Sequence, residues 1–529
     1  MLFEAGLNET RCLFTNVVDA QPKWNEFSDF LYPNSEKKLH FKFRGVYAKP
    51  ELVAGVEKLE ALIDRVKPKL IIGLGNWALW ALTDRATLST QKGFTLPSGI
   101  MSWRGSELQT REINGTQYRF LPTIHPASVL RSWDLRHLVV HDLKARAANF
   151  LSDRKSSWGE PSFPHAANPD FERVRSQLRA WIDLARASPL ALSVDIETAR
   201  RAHITCVGIA DGTFAICIPL YWIEPGGSAR DRWTLEEEIE IWLLLKELLE
   251  LPGVEIIGQN FAYDTQFFAR MMGINCSVAF DTMLAHHLCW PGTPKSLDML
   301  ASLYLENYVY WKDESQEWAS ENDHLSNWTY NCKDTRYTYD IARELRKVIS
   351  HFNLAEQYAC QLEQWKLSRT LALTGVRFDS ERKNEMRREL LGIQKRLEEY
   401  LLQCMPPEVR FTPTDRPWFA SPSFAMDIFY RQLGIPPVLH KKTKKPTLDA
   451  SSFETIKKRA PWLTPVVEGL EKLRSVNVFI SHFLEVPLAP DGRMRTSFNI
   501  GGTDTFRWSS SENPFGEGTN LQNIPKGDK

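Results

Sequence analysis

The stretch from Leu190 to Leu220 constrains the fold more than any other part of the chain. LALSVDIET (190–198), ITCVGIAD (204–211) and TFAICIPL (213–220) are three apolar, β-branched runs separated by a few residues each. Connections this short leave no room for a crossover helix, so the three runs are expected as neighbouring antiparallel strands. Helical and extended patterns then alternate: the helix TLEEEIEIWLLLKELLE, the strand VEIIGQN, the helix AYDTQFFARMMG and the short strand VAFDT. The chain to about residue 350 is mostly helical. A meander extended by helix and strand in turn predicts an α/β layer built on one mixed sheet.

The first of these strands carries Asp195 and Glu197 two residues apart. Residues at i and i+2 share a strand face, so two carboxylates project together from an otherwise apolar run. Unpaired, they would repel each other and be costly to bury, and a divalent metal relieves that conflict. Hard cations take oxygen ligands, and a pair of them can activate water and stabilise a leaving oxygen in phosphodiester cleavage. Asp264 follows the strand VEIIGQN, and Tyr330 and Asp334 stand at i and i+4 on a predicted helix, facing one side.

Taken in order, D-I-E, G-Q-N-x-x-Y-D and Y-x-x-x-D resemble the proofreading exonuclease domain of family A DNA polymerases, the bacterial DNA polymerase I type, over about residues 165–350. The resemblance implies a ribonuclease-H-like fold and a 3'-5' exonuclease that uses two Mg²⁺ or Mn²⁺ ions. Asp195, Glu197, Asp264 and Asp334 would hold the metals, and Tyr330 would orient the attacking water. Asn260 would brace the site or serve a core or capping role, and Asp281 reads as structural.

Beyond residue 350, Gly375-Val-Arg-Phe-Asp379 and KKTKKPTLD look like the entry and thumb of a family A polymerase, mostly α-helical and running into the start of a palm. Lys441, Lys442, Lys444 and Lys445 would clamp phosphates through sequence-blind electrostatics. Thr503-Asp-Thr-Phe-Arg507-Trp-Ser-Ser510, followed by Asn520-Leu-Gln522-Asn523-Ile-Pro525, is similar to that family's T-x-T-G-R-x-S-S and N-L-Q-N-I-P motifs. Arg507, Gln522 and Asn523 would then contact the minor groove near a primer end, where the two orientations of a pair present similar acceptors. Phe506 stands where that family has Gly, which puts the local turn in question. The family's palm aspartates and fingers are expected after the last residue given, Lys529. The chain is therefore not expected to polymerise DNA alone, and a split polymerase completed by a second polypeptide is an open alternative, as is an RNA-trimming exonuclease.

Residues 1–147 resemble uracil-DNA glycosylases, through LFEAGLNETRCLFTNVV, VKPKLIIGLGNWALWAL, SWRGS and FLPTIHPASVLR. The family's base-reading Asn falls on Asn16 and its charge-stabilising His on His125. Asp19-Ala20 stands where that family has a cluster cysteine, so no iron–sulfur cluster is expected, and the water-activating motif would precede residue 1. The runs CLFTNVV and KLIIGLG read as strands, the second buried, and the Ser/Pro/Gly-rich stretch after residue 150 reads as a linker. The expected organisation is a glycosylase-like α/β domain (1–150), a linker (151–169), an exonuclease domain (170–350) and a polymerase-like part (351–529).

Composition adds exclusions. The 65 basic and 65 acidic residues cancel, so only local patches speak to nucleic acid. The eight cysteines include no C-x-x-C pair, which argues against zinc and for thiols in a reducing compartment. Neither a secretory signal nor a membrane-spanning run is legible. DNA, as a single-stranded 3' end and a primer–template, is the expected partner, in the cytoplasm of a bacterium or a phage-infected host.

Overall fold

The protein is described from a computed structural model that covers the chain except residues 24–25, 156, 200–202, 224–227, 315–323, 412–416, 441–443 and 525–529. It divides into two compact units, Met1–Gln364 and Trp365–Lys529. Their boundary lies inside the helix Ala355–Thr374, which follows the helix His324–His351 after a break at 352–354.

The centre of the first unit is a six-stranded sheet. Its order is Val278–Asp281, Val254–Gly258, Leu190–Ala199, His203–Ala210, Ala215–Pro219 and His165–Ala166. The three expected meander strands pair antiparallel, and Val254–Gly258 adds parallel to Leu190–Ala199. This is the ribonuclease-H-like layout. The helix Phe171–Ala187 starts where the Asp170 side chain accepts from the Arg173 amide. It ends at Ser188, just before Pro189, which cannot continue a helix. Val174, Leu178, Trp181, Ile182 and Ala185 repeat at helical spacing and are buried, the larger ones contributing about 1.5–3 kcal/mol each. The helix Leu235–Glu250 opens on a reciprocal capping box between Thr234 and Glu237.

The long helix His324–His351 packs on the sheet through Asn331, Asp334, Thr335 and Thr338, all buried. Gly208 permits this approach: a Cβ there would lie 2.3 Å from Asn331 Oδ1 and 2.8 Å from Thr335 Cγ2.

In residues 1–150, the helix Pro50–Val66 buries Leu52, Val56, Leu59 and Ile63. Beside it lies a three-stranded sheet of Ile71–Leu74, Arg119–Thr123 and Leu108–Gln109. Two expectations change here. CLFTNVV forms no strand; Leu13 and Phe14 are 63% and 62% exposed, and without a pairing neighbour an extended run has no ladder to join. The strand Ile71–Leu74 is only partly buried.

The stretch expected as a linker is packed. Lys155 is 4% exposed and paired with Glu107, the Trp158 indole donates to Leu108 O at 2.8 Å, and His165–Ala166 joins the central sheet.

In the second unit, the helices Ser380–Cys404 and Thr464–Phe479 share a core of Leu401, Phe419, Phe429, Ile456, Val467 and Leu470. The strands Thr496–Asn499 and Ser509–Glu512 form a hairpin. Between them Phe506 takes φ +58°, the left-handed turn that a Gly would adopt more easily. No helix among the described residues is long and apolar enough to cross a membrane.

Candidate active site

The strand Leu190–Ala199 places Asp195 opposite Gly208 and Glu197 opposite Cys206 in the neighbouring strand. Carboxylate oxygens of Asp195, Glu197 and Asp334 lie within 4.8 Å of one another. Asp264, at the start of the helix Asp264–Met272, faces the same strand: its Oδ1 accepts from the Ile196 amide at 3.0 Å, between the two strand carboxylates. Tyr330 and Asp334 come from one face of the long helix and are 7% and 4% exposed. The five residues of the expected constellation therefore converge from three elements.

Two backbone devices set Asp264. Asn260 turns the chain with φ +57°, a conformation Asn tolerates better than most residues. The buried Asp281 carboxylate accepts from the amides of Asn260 (3.3 Å), Phe261 (2.9 Å), Met283 (3.0 Å) and Leu284 (3.2 Å). It thus caps the following helix and pins the turn that leads to Asp264. Burial nonetheless raises its pKa to about 6, against those four donors.

Burial dominates the electrostatics, and like charge adds to it. The Asp195 carboxyl is held well above its ordinary range by desolvation and then by Asp264, Glu197 and Asp334. Desolvation and the Asp334 charge push Glu197 up to about 8, and desolvation pushes Asp264 up to about 7.

Three residues not legible as site residues in the sequence complete the shell. The Asn331 amide donates to Asp195 Oδ2 at 2.9 Å. The Trp311 indole donates to Asp334 Oδ1 at 2.6 Å. Lys312 Nζ donates to Asp334 Oδ2 at 2.5 Å and to the Tyr330 hydroxyl at 2.6 Å. Asn331 was reachable in principle, since it follows Tyr330 on the buried helix face. Trp311 and Lys312 precede that helix and carry no periodic signal.

Four carboxyl groups face the Lys312 ammonium, and their raised pKa values show that ionising all of them together is opposed unless further positive charge is brought in. A buried, oxygen-only donor set of this kind fits hard divalent cations and not zinc-type sulfur or imidazole chemistry.

The remaining candidates lie elsewhere. Asn16 is exposed in a loop and lines a shallow pocket with Thr15, Asp19, Lys58 and Arg65. His125 does not line that pocket. It caps the helix Pro126–Arg131, its Nδ1 accepting from the Ala127 amide at 3.1 Å. Partial desolvation and the Arg131 charge lower its pKa. Arg507, Gln522 and Asn523 are exposed in the second unit, where the Gln522 amide donates to Trp508 O at 2.6 Å. Lys444 and Lys445 are exposed beside a turn, while Lys441, Lys442 and Pro525 lie outside the described residues.

Residues 173–350 match the 3'-5' exonuclease family and residues 1–147 match the uracil DNA glycosylase superfamily. The chain is accordingly a nucleic-acid-processing enzyme that carries a 3'-5' exonuclease domain behind a glycosylase-like one. Among individual proteins it is similar to a DNA polymerase of Bacillus phage SP01, with 21% identity over 94% of this chain and 57% of that protein. It is also similar to DNA polymerase I of Borreliella burgdorferi, with 24% identity over 51% of this chain and 28% of that one. The chain thus spans little more than half of the phage relative and under a third of the bacterial one. A solved structure of the POL domain of Pol1 from M. smegmatis, in complex with DNA primer-template and dNTP, aligns with a TM-score of 0.48. That alignment has 20% identity and covers 69% of this chain and 56% of that one.

Proposed function

We propose that this chain removes nucleotides from DNA 3' ends as the proofreading activity of a family A DNA polymerase. The observation that carries the reading is the convergence of Asp195, Glu197 and Asp334 oxygens within 4.8 Å, inside the segment that matches the 3'-5' exonuclease family. Asp195, Glu197, Asp264 and Asp334 would hold two divalent ions, Mg²⁺ or Mn²⁺. When bound, such ions lower the pKa of water and neutralise charge on the attacking and leaving oxygens. Tyr330 orients the attacking water through its hydroxyl, and Asn331 keeps the Asp195 carboxylate turned into the site. The names of the relatives favour DNA over RNA as substrate.

Arg507, Gln522 and Asn523 would touch the minor groove of the primer–template, and the exposed lysines Lys444 and Lys445 its phosphates. The N-terminal domain works as a docking or bracing module rather than as a uracil-excising enzyme, since His125 is engaged as the cap of the helix Pro126–Arg131 and buried groups tie the domain to residues 302–310.

The test is release of 3' nucleotides from single-stranded DNA with Mg²⁺ or Mn²⁺. Asp195→Ala combined with Glu197→Ala should abolish release while DNA binding survives, because the strand's burial comes from Leu192, Val194 and Ile196. Undiminished release by the double variant would sink the reading.

A further inference from the structure

The segment leaving the helix Leu297–Tyr304 runs across the glycosylase-like domain and is tied to it by buried groups. The Arg146 guanidinium donates to Leu305 O at 2.8 Å and to Ser302 O at 2.9 Å. The Asn307 amide donates to Glu107 Oε2 at 3.1 Å, the Glu107 amide to Tyr308 O at 2.8 Å, and the Tyr310 amide to Ser106 Oγ at 3.1 Å. The Tyr310 ring packs edge-on against Trp103 at 5.1 Å. Ser106, Glu107 and Arg146 are 0%, 2% and 1% exposed. Ions this deeply buried are weak sources of stability compared with apolar packing, and their best use is to fix one arrangement.

The next two residues enter the exonuclease site. Trp311 and Lys312 engage the two oxygens of Asp334, and Lys312 also donates to Tyr330. We propose, on the reading that this site is a nuclease, that the glycosylase-like domain braces it: Ser106, Glu107 and Arg146 hold the strap Leu305–Lys312 so that Lys312 fixes the Tyr330 hydroxyl and the Asp334 carboxylate. Lys312 is thereby a positioning residue. Because the Tyr330 oxygen accepts from an ammonium, the phenolic proton is left to be donated elsewhere in the site. The same ammonium repels any cation entering among Asp195, Glu197 and Asp334. It therefore weakens metal binding while it organises the water-orienting tyrosine.

This gives a signature that loss of packing does not mimic. In the full chain, Lys312→Met should bind Mn²⁺ about tenfold more tightly, by calorimetry without DNA. At saturating Mn²⁺ it should release 3' nucleotides at least about tenfold more slowly. Glu107→Gln, far from the carboxylates, should shift both readouts in the same directions by a smaller factor. Combined with Lys312→Met, it should add nothing, because it acts through Lys312.

Wild-type turnover by Lys312→Met, weaker or unchanged Mn²⁺ binding by it, or full multiplication of the two losses would each overturn the proposal. If Glu107→Gln does not fold, Ser106→Ala, which removes only the bond to Tyr310, takes its place in the cycle. If the wild-type chain releases no nucleotides, the nuclease reading falls and the Mn²⁺ measurement decides alone: tighter binding in both variants supports the brace, and unchanged binding refutes it.

Discussion

Adding one methyl group at Gly208 should disable the exonuclease without touching a carboxylate. The new Cβ would sit 2.3 Å from Asn331 Oδ1, 2.8 Å from its Cγ and 2.8 Å from Thr335 Cγ2. Ordinary contact begins near 3.4 Å, so the helix must retreat by about 1 Å or Asn331 must swing away. Retreat stretches the 2.9 Å bond from Asn331 to Asp195 and the 2.7 Å bond from Ser193 Oγ to Thr335 O. It also carries Tyr330 and Asp334 away from the strand that bears Asp195 and Glu197. Overpacking a tight core contact costs about 1–3 kcal/mol, and a misplacement of about 1 Å costs about a hundredfold in rate.

Gly208→Ala should therefore lower the urea midpoint modestly and slow 3'-nucleotide release about a hundredfold. Gly208→Ala with Asn331→Ala removes the closest clash but leaves Thr335 Cγ2 at 2.8 Å, and should recover part of the stability but not the rate, because the Asp195 hydrogen bond stays lost. Full activity in Gly208→Ala, alongside a real stability loss, would refute the idea that this contact sets the depth of the helix.

Three other outcomes are expected. Tyr330→Phe should slow release about tenfold to a hundredfold without abolishing it, since the hydroxyl orients water but is not proposed to anchor a metal; a variant as dead as the Asp195/Glu197 pair would assign Tyr330 another role. His286 accounts for part of the acid sensitivity: burial, then Lys295 and His287, lower its pKa from 6.5 to about 4, and Tyr304 and Thr293 hold its ring nitrogens at 2.8 and 2.7 Å. Its contribution is present above pH 6.5 and lost as pH falls toward 4, because the unfolded chain takes up the proton first. At pH 5 that loss is about 2 kcal/mol, so His286→Gln should lose that much less stability between pH 7 and 5 in urea titrations, and an equal loss would contradict it. Finally, abasic-site assays on uracil-containing DNA, run with Asp195 and Glu197 replaced by Ala, should show little or no excision; robust excision that vanishes on His125→Ala would show a complete glycosylase pocket.

The sequence by itself determined the sheet and the acidic core of the site. Short connections force Leu190–Ala199 and the next two strands into a meander, and strand and helix periodicity aim Asp195, Glu197, Tyr330 and Asp334 before any packing is known. These are local signals, carried by residues a few positions apart. Other features depend on partners far along the chain. CLFTNVV has strand-forming composition but no ladder to join. The stretch 151–169, polar enough to read as a linker, is anchored at particular points, where Lys155 meets Glu107 and His165–Ala166 meets Ala215–Ile216. His125 is taken up as the cap of the helix Pro126–Arg131, and Asn16 lies exposed in a loop. Lys312 reaches Tyr330 and Asp334 only because buried charges of the N-terminal domain grip the strap that precedes it. Periodicity records which face a residue takes within its own element; which element that face meets is decided by long-range packing and the pairing of buried charge.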